Sequence, residues 1–367
     1  MGVFYMPVKV YTQEEAVGKN ASMLASFGRK ALLVTGRNSA RANGSLEDVC
    51  KALDREGVSH VVFDRIEANP SVRTVMEACS FGIAEGADFV VGIGGGSPMD
   101  AAKAVALMMS HPEEDSSYLY RADGDDVHIP VVCVPTTCGT GSEVTAVSVL
   151  TDTQKGIKKS IPHKIFPDLA LVDGKYLRFA SEKVLANTAF DALTHLIESG
   201  LNRKADCLSL MCVEEGLRLW SASLPILRGE RKAEDVDFAN MMSASTMAGM
   251  AIAQTGTAIP HGLSYSVTVK LGVEHGKACA YFTAGYLSAA PQKEREKLLS
   301  LAGFSGIRDF QSVLHSACGK VQADADTLKK VLEEDVEEMC SNSAKLKAAP
   351  FEVDRSILEE IAWYEFR

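Results

Sequence analysis

The chain has no excess of positive charge: 38 Lys and Arg stand against 48 Asp and Glu, a net charge of -10. A polyanion-binding surface needs the opposite sign, so nucleic acid and anionic membrane are disfavoured as partners. It also has no CxxC pair. Its nine cysteines, at 50, 79, 133, 138, 207, 212, 279, 318 and 340, are odd in number and scattered, which argues against a disulfide framework and against a Cys-type zinc site. The N-terminal MGVFYMPVKV lacks a basic segment followed by an apolar one, and Met6 stands where an N-myristoylation signal wants Ser or Thr. A reducing cytoplasm is therefore the expected compartment. With 29 Gly and 12 Pro in 367 residues, a collagenous or low-complexity chain is excluded.

What is present is ordinary globular material, 46% apolar and 23% charged, in a chain long enough for two domains. The first half alternates short β-branched runs with amphipathic stretches, the pattern of βα units feeding a parallel, doubly wound sheet. Strands are expected at 31–35, 60–63, 89–93, 129–134 and 169–172, helices at 45–57, 71–86 and 98–110, and a hairpin around a polar turn within 144–162. From Ser181 onward the periodicity is helical nearly to the end. Residues 238–269 carry no Asp, Glu, Lys or Arg. Ser243, Ser245, Thr246, Gln254, Thr255 and Thr257 interrupt this run and Pro260 is expected to end it, so it reads as a buried central helix and not as a membrane span.

Two loops after strands have ligand-binding chemistry. Gly94-Gly95-Gly96-Ser97-Pro98 follows FVVGI; glycines admit a close backbone approach, and a helix start offers free N–H groups to a pyrophosphate. Neither GxxxxGK[ST] nor GxGxxG is met, and tight packing of the turn is the bland alternative. Pro135 to Glu143 places four hydroxyls and two glycines at the carboxyl edge of the same sheet, where open α/β folds bind ligands. Neither loop contains GxSxG, which removes an α/β-hydrolase.

The helical half supplies the sharpest constellation. Asp191 and His195 stand four apart on one helix face, and His261 and His275 each precede a glycine. A site of three histidines and one carboxylate is expected, suited to Zn2+ or Fe2+ and unsuited to Mg2+ or Ca2+. Glu198, one turn beyond His195, reads either as an acceptor behind a ligand or as a solvated carboxylate. Cys279, four residues past His275, reads in preference as an inert buried thiol.

GGGSPMDAAK at 94–103, PTTCGTGSEVT at 135–145, FDALTHLIE at 190–198 and the two His-Gly units at 261 and 275 together resemble, in order and spacing, the iron-containing (group III) alcohol dehydrogenase family. The resemblance spans essentially the whole chain. It implies an α/β plus all-α fold, with an N-terminal doubly wound Rossmann-like dinucleotide-binding domain (1–178) and a C-terminal helical metal-binding domain (179–367). It further implies Asp191, His195, His261 and His275 as ligands of Fe2+ or else Zn2+, and Gly94, Gly95, Gly96 and Ser97 as the pyrophosphate loop. Thr136, Thr137, Thr140 and Ser142 would line the cofactor, Asp100 would lie by the nicotinamide or its ribose near the reacting centre, and Lys158 or Lys159 would meet a cofactor phosphate.

Some family members carry a histidine four residues after the third ligand. Here that position is Tyr265, so Tyr265 or a metal-linked water is expected to carry the proton. Cys138 replaces a more usual small residue, and Gly174 a proline. The loop Gly36-Arg37-Asn38-Ser39 has Gly where NAD-using members often have Asp, and no carboxylate occurs from 31 to 46, so NADP is expected ahead of NAD. The expected activity is hydride transfer between that nicotinamide and a small alcohol or aldehyde, in a homodimer. A polyol (glycerol-type) dehydrogenase or dehydroquinate-synthase-like lyase of the same fold stays open, as does a nucleotide-binding sensor without turnover, which would need no metal.

Overall fold

The computed structural model describes residues 3–153 and 157–366. They fall into two units. One takes Met6–Thr137 and Gly141–Ala180; the other takes the N-terminal residues up to Tyr5, the tripeptide Cys138–Thr140 and everything from Ser181 onward.

The first unit holds eight strands: β1 (Lys9–Thr12), β2 (Lys30–Thr35), β3 (Ser59–Phe63), β4 (Phe89–Gly94), β5 (Val131–Pro135), β6 (Val149–Asp152), β7 (Ile157–Ser160) and β8 (Leu169–Val172). Six of them form a parallel sheet in the order β1-β8-β5-β4-β2-β3. A parallel sheet is buried on both faces, which is why its strands are continuous apolar runs. Leu32, Val34, Val90 and Cys133 pack with helices α2 (Val72–Glu85) and α3 (Gly96–Ser110) on one face. Ala31, Leu33, Val91 and Val132 pack with α1 (Ser45–Arg55) on the other. The two sets alternate along each strand, as the two-residue period of a strand requires.

Two details differ from the expected pattern. β1 was not expected; it is a four-residue strand at the sheet edge with exposed ends, too short to show a period. Helix α3 begins at Gly96, so Pro98 occupies its third position and not its first; the ring is tolerated because first-turn N–H groups lack an intrahelical partner anyway. β6 and β7 form the expected hairpin, while residues 154–156 of its turn lie outside the described residues.

β2 leads to β3 on one side of the sheet, and β4 leads to β5 on the other. The carboxyl ends of β2 and β4 therefore flank the point where strand order reverses, the place at which open α/β sheets take ligands. Thr35 stands beside Ile93, and Gly94 beside Pro135, so the loops starting at Gly36, Gly95 and Thr136 leave one edge together.

The second unit is helical throughout its described residues beyond Ser181: α4 (Glu182–Leu201), α5 (Cys207–Ser221), α6 (Asp235–Thr255), α7 (Ile259–Leu271), α8 (His275–Ala289) and α9 (Ala325–Ser341) with shorter pieces. The charge-free stretch is two helices, not one. Gly256, at φ 74°, ends α6 in a conformation that favours glycine, and Pro260 sits in the first turn of α7 instead of terminating its predecessor. Buried hydroxyl pairs tie the bundle: Ser199 to Thr255 at 2.6 Å joins α4 to α6, and Thr194 to Thr283 at 3.1 Å joins α4 to α8. Among the described residues no helix is long and apolar enough to cross a membrane.

Within the sheet unit, Lys103 of α3 is fully buried. Its Nζ donates to Ser142 Oγ at 2.7 Å and to the Val147 carbonyl at 2.9 Å, and lies 3.7 Å from Asp100 Oδ1. Asp100 in turn accepts from Ser142 Oγ at 2.6 Å and from the Val149 amide at 3.0 Å. This network fastens α3 to the segment after β5 and to the start of β6. Burial lowers the Lys103 pKa and raises that of Asp100, each opposed by the other's charge. Removing one member of such a buried pair costs about 3 kcal/mol or more. Lys103→Met is expected to lower unfolding free energy by that order in chemical denaturation, and a change below about 1 kcal/mol would show that the network contributes little.

Candidate functional site

Helix α4 starts at Ser181, whose hydroxyl accepts from the Val184 amide at 3.3 Å, a standard N-cap. Along it Asp191, His195 and Glu198 follow at offsets of four and three, so one face bears all three. They are buried at 3%, 5% and 0% exposure. His261 lies in the first turn of α7, His275 opens α8, and Cys279 follows one turn later. Gly276 makes the approach of α8 to α4 possible: a Cβ there would lie 2.0 Å from the Asn187 carbonyl oxygen and 2.9 Å from Asp191 Cβ.

One donor atom each from Asp191, His261, His275 and Cys279 lies within 4.8 Å of the other three. His261 Nε2 is 3.5 Å from Asp191 Oδ1, and His275 Nε2 is 4.0 Å from it. His195 is stacked on His261 with 4.3 Å between ring centroids, beside that foursome but not a member of it. Its Nδ1 faces the Gly139 carbonyl at 3.2 Å, which turns Nε2 outward as a lone-pair donor. Tyr265 lies parallel to the His275 ring, 6.1 Å between centroids.

Glu198 resolves to an acceptor behind His261. Its Oε2 accepts from His261 Nδ1 at 2.6 Å and its Oε1 from the His261 amide at 3.0 Å. That bond fixes the tautomer and ring orientation of His261, leaving Nε2 for an ion. Asp191 Oδ1 and His261 Nε2 have no hydrogen-bond partner although both are buried. Unpartnered buried polar atoms are costly, and here two of them converge with a third nitrogen and a sulfur. Oxygen, nitrogen and sulfur donors in this arrangement fit a divalent transition ion.

The electrostatics agree. Burial would raise the Asp191 carboxyl, but His195, His275 and His261 outweigh it and hold it well below the usual carboxylate range. Burial and the neighbouring His261 push His195 down to about 4, so it stays neutral. Burial also disfavours His261 in its charged form, yet Cys279, Glu198 and Asp191 overcome this and raise it well above its ordinary value. The Cys279 thiol, which burial would raise, is brought to about 7 by His261 and His275. The Cys279 sulfur, buried as expected, is 3.7 Å from His275 Nε2 and inside the donor group. The His275–Cys279 spacing of one helical turn was the available signal.

In the sheet unit, Gly94 has φ 148°, and a Cβ there would meet Pro98 Cγ at 2.6 Å, so the loop before α3 depends on glycine. A Cβ at Gly95 would come 3.0 Å from Thr137 Oγ1, and the Thr136 amide donates to the Gly94 carbonyl at 2.9 Å. Gly94, Gly95, Gly96, Ser97, Thr136 and Thr137 are therefore together. Ser142 has its hydroxyl committed to Asp100 and Lys103, and Asp100 is likewise engaged, so both brace the loop from behind. Thr140 groups with the helical unit. Asn69 was missed. Held at φ 57°, a conformation asparagine tolerates, it donates its amide to Ser97 Oγ at 3.1 Å and accepts from Lys158 Nζ at 2.7 Å. Lys158 thereby points toward the glycine loop, and its charge is among those opposing the burial-driven rise of the Asp100 pKa, whereas Lys159, adjacent on β7, is exposed on the opposite side. After β2, Arg37, Asn38 and Ser39 are exposed.

An α/β sheet with a glycine loop at its reversal point, joined to a helical unit with a buried donor group, defines a two-part class of dinucleotide-type and metal-site folds. Residues 7–174 match the family model described as iron-containing alcohol dehydrogenase, and residues 185–344 match the Fe-containing alcohol dehydrogenase family C-terminal model. An iron-containing alcohol dehydrogenase from Thermotoga maritima is 33% identical, with a TM-score of 0.89 over 100% of this chain and 99% of that one. A probable alcohol dehydrogenase, EutG, from Salmonella typhimurium is 32% identical over 241 residues, 65% of this chain and 60% of that relative. An NADPH-dependent butanol dehydrogenase from Clostridium saccharobutylicum is 30% identical over 271 residues, 70% of this chain and 66% of that protein. The alignments thus span less than two thirds of these two curated relatives. The chain belongs to the iron-containing alcohol dehydrogenase family.

Since Glu198 orients His261 and its charge favours the protonated ring, an ion at Nε2 would compete with a proton, and affinity is expected to fall as pH falls. Glu198→Gln is expected to weaken Zn2+ binding about 10-fold or more and to reduce the protons released per ion, both read by calorimetry in two buffers. Unchanged affinity and proton release would remove Glu198 from the site.

Proposed function

We propose that the chain is a metal-dependent alcohol dehydrogenase or aldehyde reductase that moves hydride between NADP(H) and a small alcohol or aldehyde. The observation that supports this most is the convergence of Asp191 Oδ1 and His261 Nε2, buried and without a hydrogen-bond partner, with His275. When bound, a divalent ion supplies Lewis acidity toward the substrate oxygen and a nicotinamide supplies or takes the hydride.

The chain's own residues do the rest. Asp191, His195, His261 and His275 are the proposed ligand set, with Glu198 and the Gly139 carbonyl orienting two of the rings. Gly94 to Ser97 hold the pyrophosphate on the first-turn amides of α3, Asn69 and Lys158 brace that loop, and Lys158 attracts a cofactor phosphate. Burial raises the Tyr265 hydroxyl above its ordinary value, so it keeps its proton and can deliver it from Oη to a substrate oxygen. Residues 241–269 contain no Lys or Arg, which favours small uncharged substrates over phosphorylated ones. Nine free cysteines support a reducing compartment.

The NADP(H) preference rests on the loop after β2. Gly36 is outside the left-handed region, and a Cβ there would meet only the Ile66 carbonyl, at 3.3 Å. The backbone therefore does not impose glycine, and its absent side chain leaves room for a 2′-phosphate beside exposed Arg37.

Chelator-treated protein is expected to lose turnover of short aldehydes with NADPH and to regain it with Fe2+ or Zn2+; full activity without metal would refute the function. Catalytic efficiency is expected to be at least 10-fold higher with NADPH than with NADH, and Gly36→Asp to narrow or reverse that ratio by repelling the 2′-phosphate. Equal use of both cofactors by the unaltered protein would overturn the preference.

A further inference from the structure

A partly buried cation without a counter-ion lies in the helical unit. Lys345 belongs to α10 (Ser343–Ala348), a short helix fastened at both ends. Asn342 Oδ1 accepts from the Lys345 amide at 3.3 Å, and at the far end Arg203 donates its amide to the Ala348 carbonyl at 3.0 Å and its Nε to the Ala349 carbonyl at 2.6 Å. The lysine side chain turns inward. Its Nζ donates to Thr257 Oγ1, in the linker between α6 and α7, close in sequence to His261. A Cβ on Gly262, the residue after His261, would lie 3.8 Å from Lys345 Cγ. Lys347, on the same short helix, is exposed, the ordinary setting of a lysine.

Among the described residues Lys345 has no ion-pair partner. Burial lowers its pKa, opposed only through space by Glu198 and Cys279. Glu198 is not its counter-ion, because both carboxylate oxygens accept from His261. An ammonium has three N–H donors, and Thr257 takes one. Holding such a group out of water without an opposite charge is unfavourable, and Cys279, whose charge acts on it, stands inside the donor group around Asp191. The remaining N–H groups are thus available to an anion beside that group.

We propose that Lys345 determines specificity at this site by binding a carboxylate on the substrate, so that the chain acts on short hydroxy acids and the matching oxo acids in preference to unsubstituted alcohols and aldehydes. The inference rests on the alcohol dehydrogenase reading and narrows it. The preference for uncharged substrates followed from residues 241–269 alone, and Lys345 enters from outside them. One ammonium suits one carboxylate through charge-assisted hydrogen bonds, whereas a phosphate dianion calls for several basic groups. The reaction is otherwise the same: the carbinol C–H hydride passes to the oxidised nicotinamide, the O–H proton is released, and the carboxylate is unchanged. A lysine that merely offsets Glu198 from a distance would make no distinction by substrate charge.

Steady-state oxidation by the full-length protein, loaded with Fe2+ or Zn2+ and given the better of NADP+ and NAD+, tests this. Glycolate, 3-hydroxypropanoate and 4-hydroxybutanoate are compared with ethanol, 1-propanol and 1-butanol, so that each acid has an alcohol of its own length. At the best length, kcat/KM for the acid is expected to exceed that for the alcohol at least 10-fold, since a site with a buried polar group rejects the analogue that leaves it unpaired. Lys345→Met is expected to bring that ratio to unity or below, through the KM of the acid, and Lys345→Arg to keep part of it. The ratio is the readout because a purely structural loss lowers both substrates together. If Lys345→Met does not fold, the unaltered protein still decides: a ratio at or below unity at every length would overturn the proposal while leaving the dehydrogenase reading intact. An undiminished ratio in folded Lys345→Met would assign carboxylate recognition elsewhere and also overturn it. Turnover of none of the acids and alcohols would overturn the dehydrogenase reading and this proposal together.

Discussion

The helical unit is arranged around two polar atoms that its own side chains leave unsatisfied, Asp191 Oδ1 and His261 Nε2, 3.5 Å apart in a buried setting. Each such atom costs on the order of 1–3 kcal/mol when water is excluded and no partner is supplied. A bundle rich in alanine, leucine and paired hydroxyls tolerates this only because the surrounding contacts hold the atoms in place. Gly276 lets α8 approach α4 closely enough for His275 to reach Asp191. Glu198, itself fully buried, secures His261 through both its ring and its amide. The result is a preorganised group of donors, and an ion bound there would offset that cost, coupling affinity to folding.

The sheet unit solves a different problem with the same economy. Its ligand edge is made of backbone, and backbone loops need support from behind. Lys103, Asp100 and Ser142 supply it through a hydrogen-bonded network centred on the buried Lys103 ammonium. Asn69 and Lys158 close the other flank.

Much of this was legible in the sequence. The alternation of β-branched runs with amphipathic stretches foretold the parallel sheet because a strand buried on both faces must be apolar throughout. The spacing of Asp191, His195 and Glu198 foretold one helix face, since the 3.6-residue period is a strong constraint. Other features were hidden for physical reasons. β1 is four residues at an edge, with no period to read. Gly256 splits the charge-free stretch through backbone conformation, which composition does not report. Cys279 reads as a small hydrophobe in any buried helix, and only its distance from His275 reveals its neighbours. Asn69 belongs to no motif, and its role arises from contacts with residues 28 and 89 positions away.

The central claim is that Asp191 and the histidines facing it form a metal site. The most direct measurement is the metal content of the purified chain, by elemental mass spectrometry after removal of loosely bound ions, compared between the unaltered protein and a folded Asp191→Ala variant. The account predicts one equivalent of a divalent transition metal per chain in the first and its loss in the second. Equal metal content in both, or none in either after incubation with Zn2+ or Fe2+, would contradict it.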